Sequence, residues 1–281
     1  MALRFSKMHG AGNDFVVLDL RHGRPAPDAA LARALGDRHT GVGFDQLLTI
    51  EDSGLPDCVA RYRICNQDGS TAQQCGNGAR CVAAWLLRDG AAQPPVFRLD
   101  SPAGVIEVEC LADGRFSLQL GVPEFCPARI PFKSECEQAE YAANLAGQPL
   151  CFGAVAMGNP HALIVVDDIT GAPVTPLGDA LQASGLFPEG VNVGFAQIIA
   201  RDHIRLRVFE RGAGETLACG SGACAAVAIL LRQGRIDRGA RVELPGGMLE
   251  IAWPADDAPV RMTGPAAFVF EGEWLMGEQS R

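Results

Sequence analysis

Lysine is nearly absent from this chain: of its 24 lysine and arginine residues, only Lys7 and Lys133 are lysines. A pyridoxal phosphate cofactor is held as a Schiff base by a lysine, and neither residue lies in a stretch that could cradle a phosphate. The Cys-x-x-Cys and His-Glu-x-x-His patterns typical of zinc sites are also missing. We therefore expect no cofactor and no metal.

Long apolar runs and an apolar leader are lacking as well, so we expect neither a membrane-spanning helix nor a secretory signal. The net charge is −9 and no stripe of basic residues occurs, which argues against a nucleic-acid partner. Ten cysteines without a secretory signal indicate free thiols and a cytoplasmic location. A hydrophobic content of 48% over 281 residues is typical of a soluble globular protein with two modest domains.

The sequence does contain a glycine-rich stretch, Glu210–Cys224, that leads into an apolar run, Ala223–Leu231. Because Gly234 follows the run, the pattern predicts a buried helix closed by a glycine. Cys219 then lies in the turn that opens the helix, where free N–H groups and the helix dipole favour an anion such as a carboxylate. The same position is expected to lower the pKa of the thiol. Alone, the pattern fits a reactive cysteine and an inert turn cysteine equally well.

An earlier segment repeats this pattern. Cys75–Leu87 reads Cys-Gly-Asn-Gly-Ala-Arg-Cys-Val-Ala-Ala-Trp-Leu-Leu, and Cys219–Leu231 reads Cys-Gly-Ser-Gly-Ala-Cys-Ala-Ala-Val-Ala-Ile-Leu-Leu. Further patches recur in the same order in both halves, which indicates an internal duplication. They are Gly12-Asn13 with Gly158-Asn159, Val42–Gln46 with Val193–Gln197, Pro102–Glu107 with Pro245–Glu250, and Gly121 with Gly264.

Each half combines short strand-like runs with one apolar helix. A helix that is apolar nearly all round must be enclosed by other elements, whereas the more polar helices expected at Asp28–Leu35 and Pro176–Ala183 should lie outside. We predict an α+β fold of two pseudo-symmetric domains, each a curled mixed or antiparallel sheet wrapped around its central helix. The expected strands include Val59–Ile64, Val105–Cys110, Phe116–Leu120, Ile204–Phe209 and Val242–Leu244.

The duplication also predicts domain boundaries. Residues 1–119 with 265–281 form the expected N-terminal half-site domain, which carries Cys75. Residues 120–264 form the C-terminal one, which carries Cys219. Prolines cluster at Pro123–Pro131, where we expect the crossover between the halves.

Two equivalent domains would place Cys75 and Cys219 face to face across a cleft. Inversion of a stereocentre needs two such groups, because a thiolate removes the α-proton and the opposing thiol protonates the other face. Backbone N–H groups of Gly76-Asn77 and Gly220-Ser221 could stabilise the carboxylate of the carbanion-like state. This favours cofactor-independent racemisation or epimerisation of an amino acid. Two alternatives stay open: a dithiol that forms a disulfide in its working cycle, and redox-sensitive or inert turn cysteines.

Polar residues concentrate in the same motifs. Glu210 and Arg211 precede the Cys219 loop and form either a clamp for a substrate ammonium and carboxylate or a surface ion pair. His161 either tunes a thiol or caps a turn. Five of the six asparagines lie in or beside glycine-rich motifs and suit a zwitterionic ligand, although each alone fits a turn. These are Asn13, Asn66, Asn77, Asn159 and Asn192.

Several strings, running almost end to end, resemble the diaminopimelate epimerase family. Proline racemases and phenazine-type isomerases are similar in fold, but Cys-Gly-Asn-Gly-Ala-Arg and Glu-Arg-Gly-Ala-Gly-Glu-Thr favour the epimerases. The resemblance implies an isomerase that interconverts L,L- and meso-diaminopimelate, on the route to lysine and peptidoglycan, without metal or pyridoxal phosphate. The strings are Lys7–Phe15, Gly43–Gln46, Cys75–Arg80, Gly158–Ala162, Glu210–Thr216 and Cys219–Gly222.

By these matching strings, the resemblance implies that Cys75 and Cys219 are the acid/base pair and that His161 and Glu210 tune the thiols. The implied substrate-binding residues are Asn13, Gln46, Asn66, Gly76, Asn77, Asn159, Asn192, Glu210, Arg211, Gly220 and Ser221.

The resemblance further implies a C-terminal strand that returns to the first domain and mediates a homodimer. Phe270 takes the place of the aromatic residue at that contact, where the family commonly has tyrosine, so a hydroxyl-dependent dimer contact is in doubt. Cys65 stands where phenylalanine is commoner, which could change the packing behind Asn66.

Overall fold

The computed structural model describes residues 2–145 and 148–275, which fall into two compact units. One unit runs up to Leu118 and resumes at Pro265, and the other spans Gln119–Gly264. Cys75 thus belongs to the first unit and Cys219 to the second.

The proline cluster at 123–131 lies inside the second unit rather than at the crossover. The chain joins this unit earlier, because Leu120 N donates to Val260 O at 2.9 Å and Glu124 pairs with Ala156. Within the cluster, Pro127–Arg129 forms a 3₁₀ helix.

The first unit is built on a mixed sheet. Strands β1 and β2 are antiparallel, β2 and β3 parallel, β3 and β4 antiparallel, β4 and β6 parallel, and β6, β7 and β8 antiparallel. The last strand, β18, returns to pair antiparallel with β1, as the resemblance implied. The elements are β1 (Ala2–Gly10), β2 (Asn13–Asp19), α1 (Ala29–Gly36), β3 (Gln46–Glu51), β4 (Ala60–Asn66), β5 (Thr71–Ala72), α2 (Gly76–Asp89), β6 (Val96–Ser101), β7 (Gly104–Cys110), β8 (Phe116–Gln119) and β18 (Ala267–Leu275).

The second unit repeats this pairing pattern strand for strand. Here β9, β10 and β11 are antiparallel, β11 and β12 parallel, β12 and β13 antiparallel, β13 and β15 parallel, and β15, β16 and β17 antiparallel. The elements are β9 (Tyr141–Leu145), β10 (Gln148–Ala156), β11 (Pro160–Val165), α3 (Val174–Ala183), β12 (Asn192–Ala200), β13 (His203–Glu210), β14 (Gly214–Thr216), α4 (Gly220–Arg232), β15 (Gly239–Leu244), β16 (Gly247–Ala252) and β17 (Arg261–Gly264). The predicted α+β class with duplicated halves is confirmed.

Helices α2 and α4 are the enclosed helices that the apolar runs predicted. Most residues of both are buried, and α4 contacts β10 to β13 and β15 to β17. Gly90 ends α2 in the left-handed conformation with φ 82°, which glycine adopts without steric cost. None of the helices in the described part of the chain is long and apolar enough to cross a membrane.

Helices α1 and α3 pack on the other side of their sheets. Leu35 of α1 is fully buried in a cluster with Phe44 and Leu47, and Leu181 of α3 is fully buried in a cluster that contains Phe152. Each sheet therefore lies between a buried central helix and an outer helix. The candidate site residues lie at the start of each central helix and on the neighbouring strands and turns.

Candidate active site

Cys75 and Cys219 each occupy the N-cap position of a buried helix. Cys75 immediately precedes α2, Cys219 immediately precedes α4, and both have an extended backbone. The backbone N–H of Gly78 donates to Sγ of Cys75 at 3.4 Å, which satisfies one of the free donors at the helix start.

The second glycine of each Cys-Gly-x-Gly-Ala motif makes room for the sulfur. A Cβ atom on Gly78 would lie 3.1 Å from Leu48 and 3.5 Å from Sγ of Cys75. On Gly222 it would lie 3.2 Å from Val208 and 3.3 Å from Sγ of Cys219. Close packing of the first helical turn against the sheet and the thiol thus explains a residue type that is otherwise unfavourable in helices.

In the first unit, two asparagines accompany Cys75. Gly12 has a φ of 88°, and the tight turn it allows directs the chain into β2 at Asn13. Oδ1 of Asn13 lies 3.7 Å from Sγ of Cys75 and 3.3 Å from Nδ2 of Asn77. The structure therefore brings three predicted site residues into one hydrogen-bonded group.

Gln46 and Asn66 form a second pair in this unit. They lie opposite each other in the β3–β4 register, and Nε2 of Gln46 donates to Oδ1 of Asn66 at 3.0 Å. Nδ2 of Asn66 donates to Ser70 Oγ at 3.0 Å. The preceding residue, Cys65, packs against the buried cluster around Phe44, so its effect is on the packing behind Asn66.

In the second unit, Cys219 is buried beside Glu210 and Ser221. Burial, followed by the negative charge of Glu210, raises the pKa of the Cys219 thiol well above its ordinary value. The expectation that the helix start would lower this pKa is therefore wrong for Cys219, because desolvation and the carboxylate outweigh the helix dipole. At neutral pH, Cys219 in this structure carries its proton.

His161 connects this group. Its Nε2 atom lies 3.0 Å from Oδ1 of Asn159 and 3.1 Å from Oγ of Ser221, and that hydroxyl lies 3.6 Å from Sγ of Cys219. Complete burial lowers the pKa of His161 to about 3, and the positive charge of Arg211 makes a smaller contribution in the same direction. The imidazole is therefore neutral at physiological pH and acts as a hydrogen-bonding group rather than a cation.

Asn192 lies next to His161 in the β11–β12 register. Its Oδ1 accepts from the backbone N–H of Arg211 at 2.9 Å, and its Nδ2 donates to Pro160 O at 3.4 Å. The Arg211 guanidinium donates to the carbonyl of Glu189 and is solvent-exposed. An exposed, donor-only group of this kind can still receive a carboxylate.

Three residues in contact with these groups were not assigned a role from the sequence. Thr216 Oγ1 donates to Oε1 of Glu210 at 2.5 Å, Arg80 Nη2 donates to Oδ1 of Asn77 at 2.8 Å, and Asp45 Oδ2 accepts from Nδ2 of Asn13 at 2.8 Å. All three occur inside the strings that carry the family resemblance, which was the available signal.

Three predicted residues, Gly76, Gly220 and Phe270, have not yet been located. Gly76 and Gly220 are the first residues of α2 and α4 and are buried. Phe270 lies on β18, where its ring is half-exposed and makes an edge-to-face contact with the ring of Phe5 at a centroid distance of 5.9 Å.

Comparisons with known proteins agree with the resemblance. The sequence profile described as "Diaminopimelate epimerase" matches residues 5–126 and 153–269. A diaminopimelate epimerase from Xanthomonas campestris pv. campestris is 58% identical over 273 residues, covering 97% of this chain and 96% of that protein. An O-ureido-serine racemase from Streptomyces lavendulae is also 58% identical, over 275 residues, with 97% and 96% covered.

Solved structures show the same architecture. A hydroxyproline epimerase from Agrobacterium vitis has a TM-score of 0.69 at 16% identity, covering 99% of this chain and 94% of that one. A phenazine biosynthesis protein from Bacillus anthracis has a TM-score of 0.70 at 15% identity, covering 98% and 100%. At such identities the likeness concerns the fold alone. The family follows from the sequence matches: this chain belongs to the diaminopimelate epimerase family, whose members are isomerases.

Proposed function

We propose that this protein interconverts L,L- and meso-diaminopimelate without a cofactor, in the cytoplasm, as a step in lysine and peptidoglycan precursor biosynthesis. One observation carries the proposal: each duplicated unit presents a cysteine at the start of a buried helix, with an amide or hydroxyl side chain beside the sulfur. Cys75 and Cys219 are the proposed acid/base pair.

The proposed reaction transfers one proton in each direction at the α-carbon. One thiolate takes the α-proton, so that a C–H bond breaks, an S–H bond forms and the electron pair is delocalised into the carboxylate. The opposing thiol then protonates the other face and becomes the thiolate. In the direction in which Cys219 acts as the base, it must first lose its proton, and Glu210 is the neighbouring carboxylate proposed to accept it; in the other direction the protonated Cys219 is the acid.

The carboxylate at the reacting centre needs donors. The N–H groups at the starts of α2 and α4, at Gly76-Asn77 and Gly220-Ser221, suit this role because helix N-termini bind anions. For the rest of the zwitterion we propose the amides of Asn13, Gln46, Asn66, Asn159 and Asn192, with Arg211 as a carboxylate clamp and Glu210 near the ammonium.

O-ureido-serine racemisation is the second candidate, since one 58% identical relative carries that name. Both reactions invert an α-carbon, and the substrates differ at their distal ends. We expect the purified protein, stripped of metals, to show a far higher kcat/KM for L,L-diaminopimelate than for O-ureido-L-serine, measured by chiral chromatography. A higher kcat/KM for O-ureido-L-serine would make that compound the substrate. If the protein turned over neither compound, the redox-active dithiol would be the remaining alternative.

We also propose a homodimer formed through β18. Val269, Phe270 and Leu275 of this strand are 56%, 48% and 74% exposed, and exposed apolar side chains on one strand are typical of a contact surface. Light scattering should give the mass of a dimer for the native chain and of a monomer for Phe270→Asp. A monomeric native chain would contradict this assignment.

A further inference from the structure

A continuous series of hydrogen bonds runs behind Cys75 and ends at a charged group on each side. Nη2 of Arg80 donates to Oδ1 of Asn77 at 2.8 Å. Nδ2 of Asn77 donates to Oδ1 of Asn13 at 3.3 Å, and Nδ2 of Asn13 donates to Oδ2 of Asp45 at 2.8 Å. All four residues belong to the first unit.

The chemistry of the two ends fixes which way both amides face. A guanidinium only donates hydrogen bonds and a carboxylate only accepts them. Asn77 must therefore present its oxygen to Arg80 and its NH₂ group to Asn13. Asn13 must present its oxygen to Asn77 and its NH₂ group to Asp45. Reversing either amide would place donors against donors or acceptors against acceptors.

The orientation of the Asn13 amide determines which of its atoms contacts the sulfur of Cys75. Sγ of Cys75 lies 3.7 Å from Oδ1 of Asn13, which is an acceptor. A thiol can donate to that oxygen, whereas a thiolate gains nothing from it, so the contact favours the protonated sulfur. The N–H of Gly78, on the other side of the sulfur, favours the thiolate.

We propose that Asp45 is a positioning residue that holds the Asn13 oxygen against Cys75, so that Cys75 keeps its proton until substrate binds. Asp45 is itself anchored, since its Oδ1 accepts from Nη2 of Arg38 and its Oδ2 also accepts from the backbone N–H of Asp14. The role rests on the proposed function of Cys75 as an acid/base group.

The duplicated unit argues against a merely structural role. The strand registers match the pair Phe15 and Gln46 with the pair His161 and Asn192. The second unit therefore has Val191 at the position of Asp45 and Cys224 at that of Arg80, yet it forms the same strands and the same buried helix. The fold therefore does not require this charged pair of ends. The two charged residues occur in the unit where the amide of Asn13 contacts the thiol.

Other titratable and charged groups near Cys75 do not take over this role. Tyr62 of β4 and Cys81 of α2 both sense the charge of Cys75, and burial raises the pKa of each well above its ordinary value. Both stay neutral while a thiol titrates. Arg80, the remaining charged neighbour on α2, keeps its charge throughout.

The test measures the rate at which iodoacetamide alkylates Cys75, followed by peptide mass spectrometry from pH 6 to 10 on the full chain. Asp45→Ala removes the acceptor and frees the Asn13 amide, so we expect alkylation of Cys75 at pH 7 to rise about threefold or more, because thiolate is the reacting form. Asp45→Asn removes the same charge but keeps an acceptor oxygen, and we expect it to behave like the native chain.

Comparing Asp45→Asn with Asp45→Ala distinguishes an effect on the orientation of the Asn13 amide from an effect of the Asp45 charge alone. If Asp45→Asn and Asp45→Ala accelerate alkylation equally, the charge alone acts and the proposal is wrong; an unchanged profile in Asp45→Ala also overturns it. Asp57→Ala, an exposed residue in a loop, is the matched control and should change nothing. Because alkylation needs no turnover, a native chain that lacks epimerase activity but shows these shifts would refute the proposed function and leave the positioning intact.

Discussion

The hydroxyl of Thr216 donates a hydrogen bond to Oε1 of Glu210 at 2.5 Å. Glu210 in turn raises the pKa of the Cys219 thiol, so Thr216 orients the carboxylate that controls this sulfur. Thr216→Val keeps the shape of the side chain but removes the donor. We predict that kcat falls by about tenfold, since a hydrogen bond to a charged group contributes about 1.5–3 kcal/mol.

Thr216→Ser is the matched control, because it retains the hydroxyl, and its kcat should stay close to the native value. Steady-state kinetics with L,L-diaminopimelate would measure both variants. Equal losses in the valine and serine variants would show that the methyl group, rather than the hydrogen bond, matters here.

Arg211→Lys tests the carboxylate clamp. A lysine keeps the positive charge but cannot reproduce the planar fork of a guanidinium. We predict a loss in kcat/KM of at least about tenfold, while Arg235→Lys, an exposed position in the same unit, should leave it unchanged. If Arg211→Lys had the native kcat/KM, Arg211 would not bind the substrate carboxylate and would be an ordinary surface residue.

His161 makes the fold sensitive to acid. Its pKa is lowered from 6.5 to about 3, so between these pH values the unfolded chain binds a proton at this imidazole that the folded chain does not bind. The free energy of unfolding should therefore decrease as pH falls below 6.5, by up to about 1.4 kcal/mol per pH unit.

Replacing His161 by Gln removes this contribution, so the pH dependence of denaturant unfolding should become shallower over that range. His39→Gln, which alters an exposed side chain, is the control and should keep the native slope. An unchanged slope in His161→Gln would mean that the imidazole is protonated in the folded protein.

The duplication made much of the fold predictable from the sequence, but the residue at which a helix begins was harder to predict. From its apolar run, α4 was expected at Ala223–Leu231, whereas it spans Gly220–Arg232. Two glycines in the first turn conceal the start, because glycine is a poor helix former. Glycine is needed there for reasons of packing against β13 and the sulfur, which the local sequence does not reveal.

The site was predictable by residue type rather than by electrostatics. The motifs point to Asn13, Asn77 and Ser221, and in the structure each of them lies in the hydrogen-bonded group of the cysteine in its own unit. The raised pKa of Cys219 could not be foreseen, since it depends on burial by other strands and on where Glu210 points. Asp45 was missed for the same reason: its contact with Asn13 joins residues distant in sequence.

The central proposal is that Cys75 and Cys219 are the two acid/base groups that act on one α-carbon. Each of Cys75→Ala and Cys219→Ala should lose at least the roughly 10²–10⁴-fold typical of general acid–base catalysis. Cys224→Ala, which removes a fully buried thiol inside α4, should affect stability more than rate.

The most direct measurement is the conversion of L,L-diaminopimelate in D₂O by metal-free native protein, with the product analysed by mass spectrometry and NMR. The two-thiol mechanism predicts meso product that carries deuterium at the inverted α-carbon, because the delivering thiol has exchanged with solvent. Meso product that retains its original α-hydrogen would show that one group removes and returns the same proton, and would contradict the account.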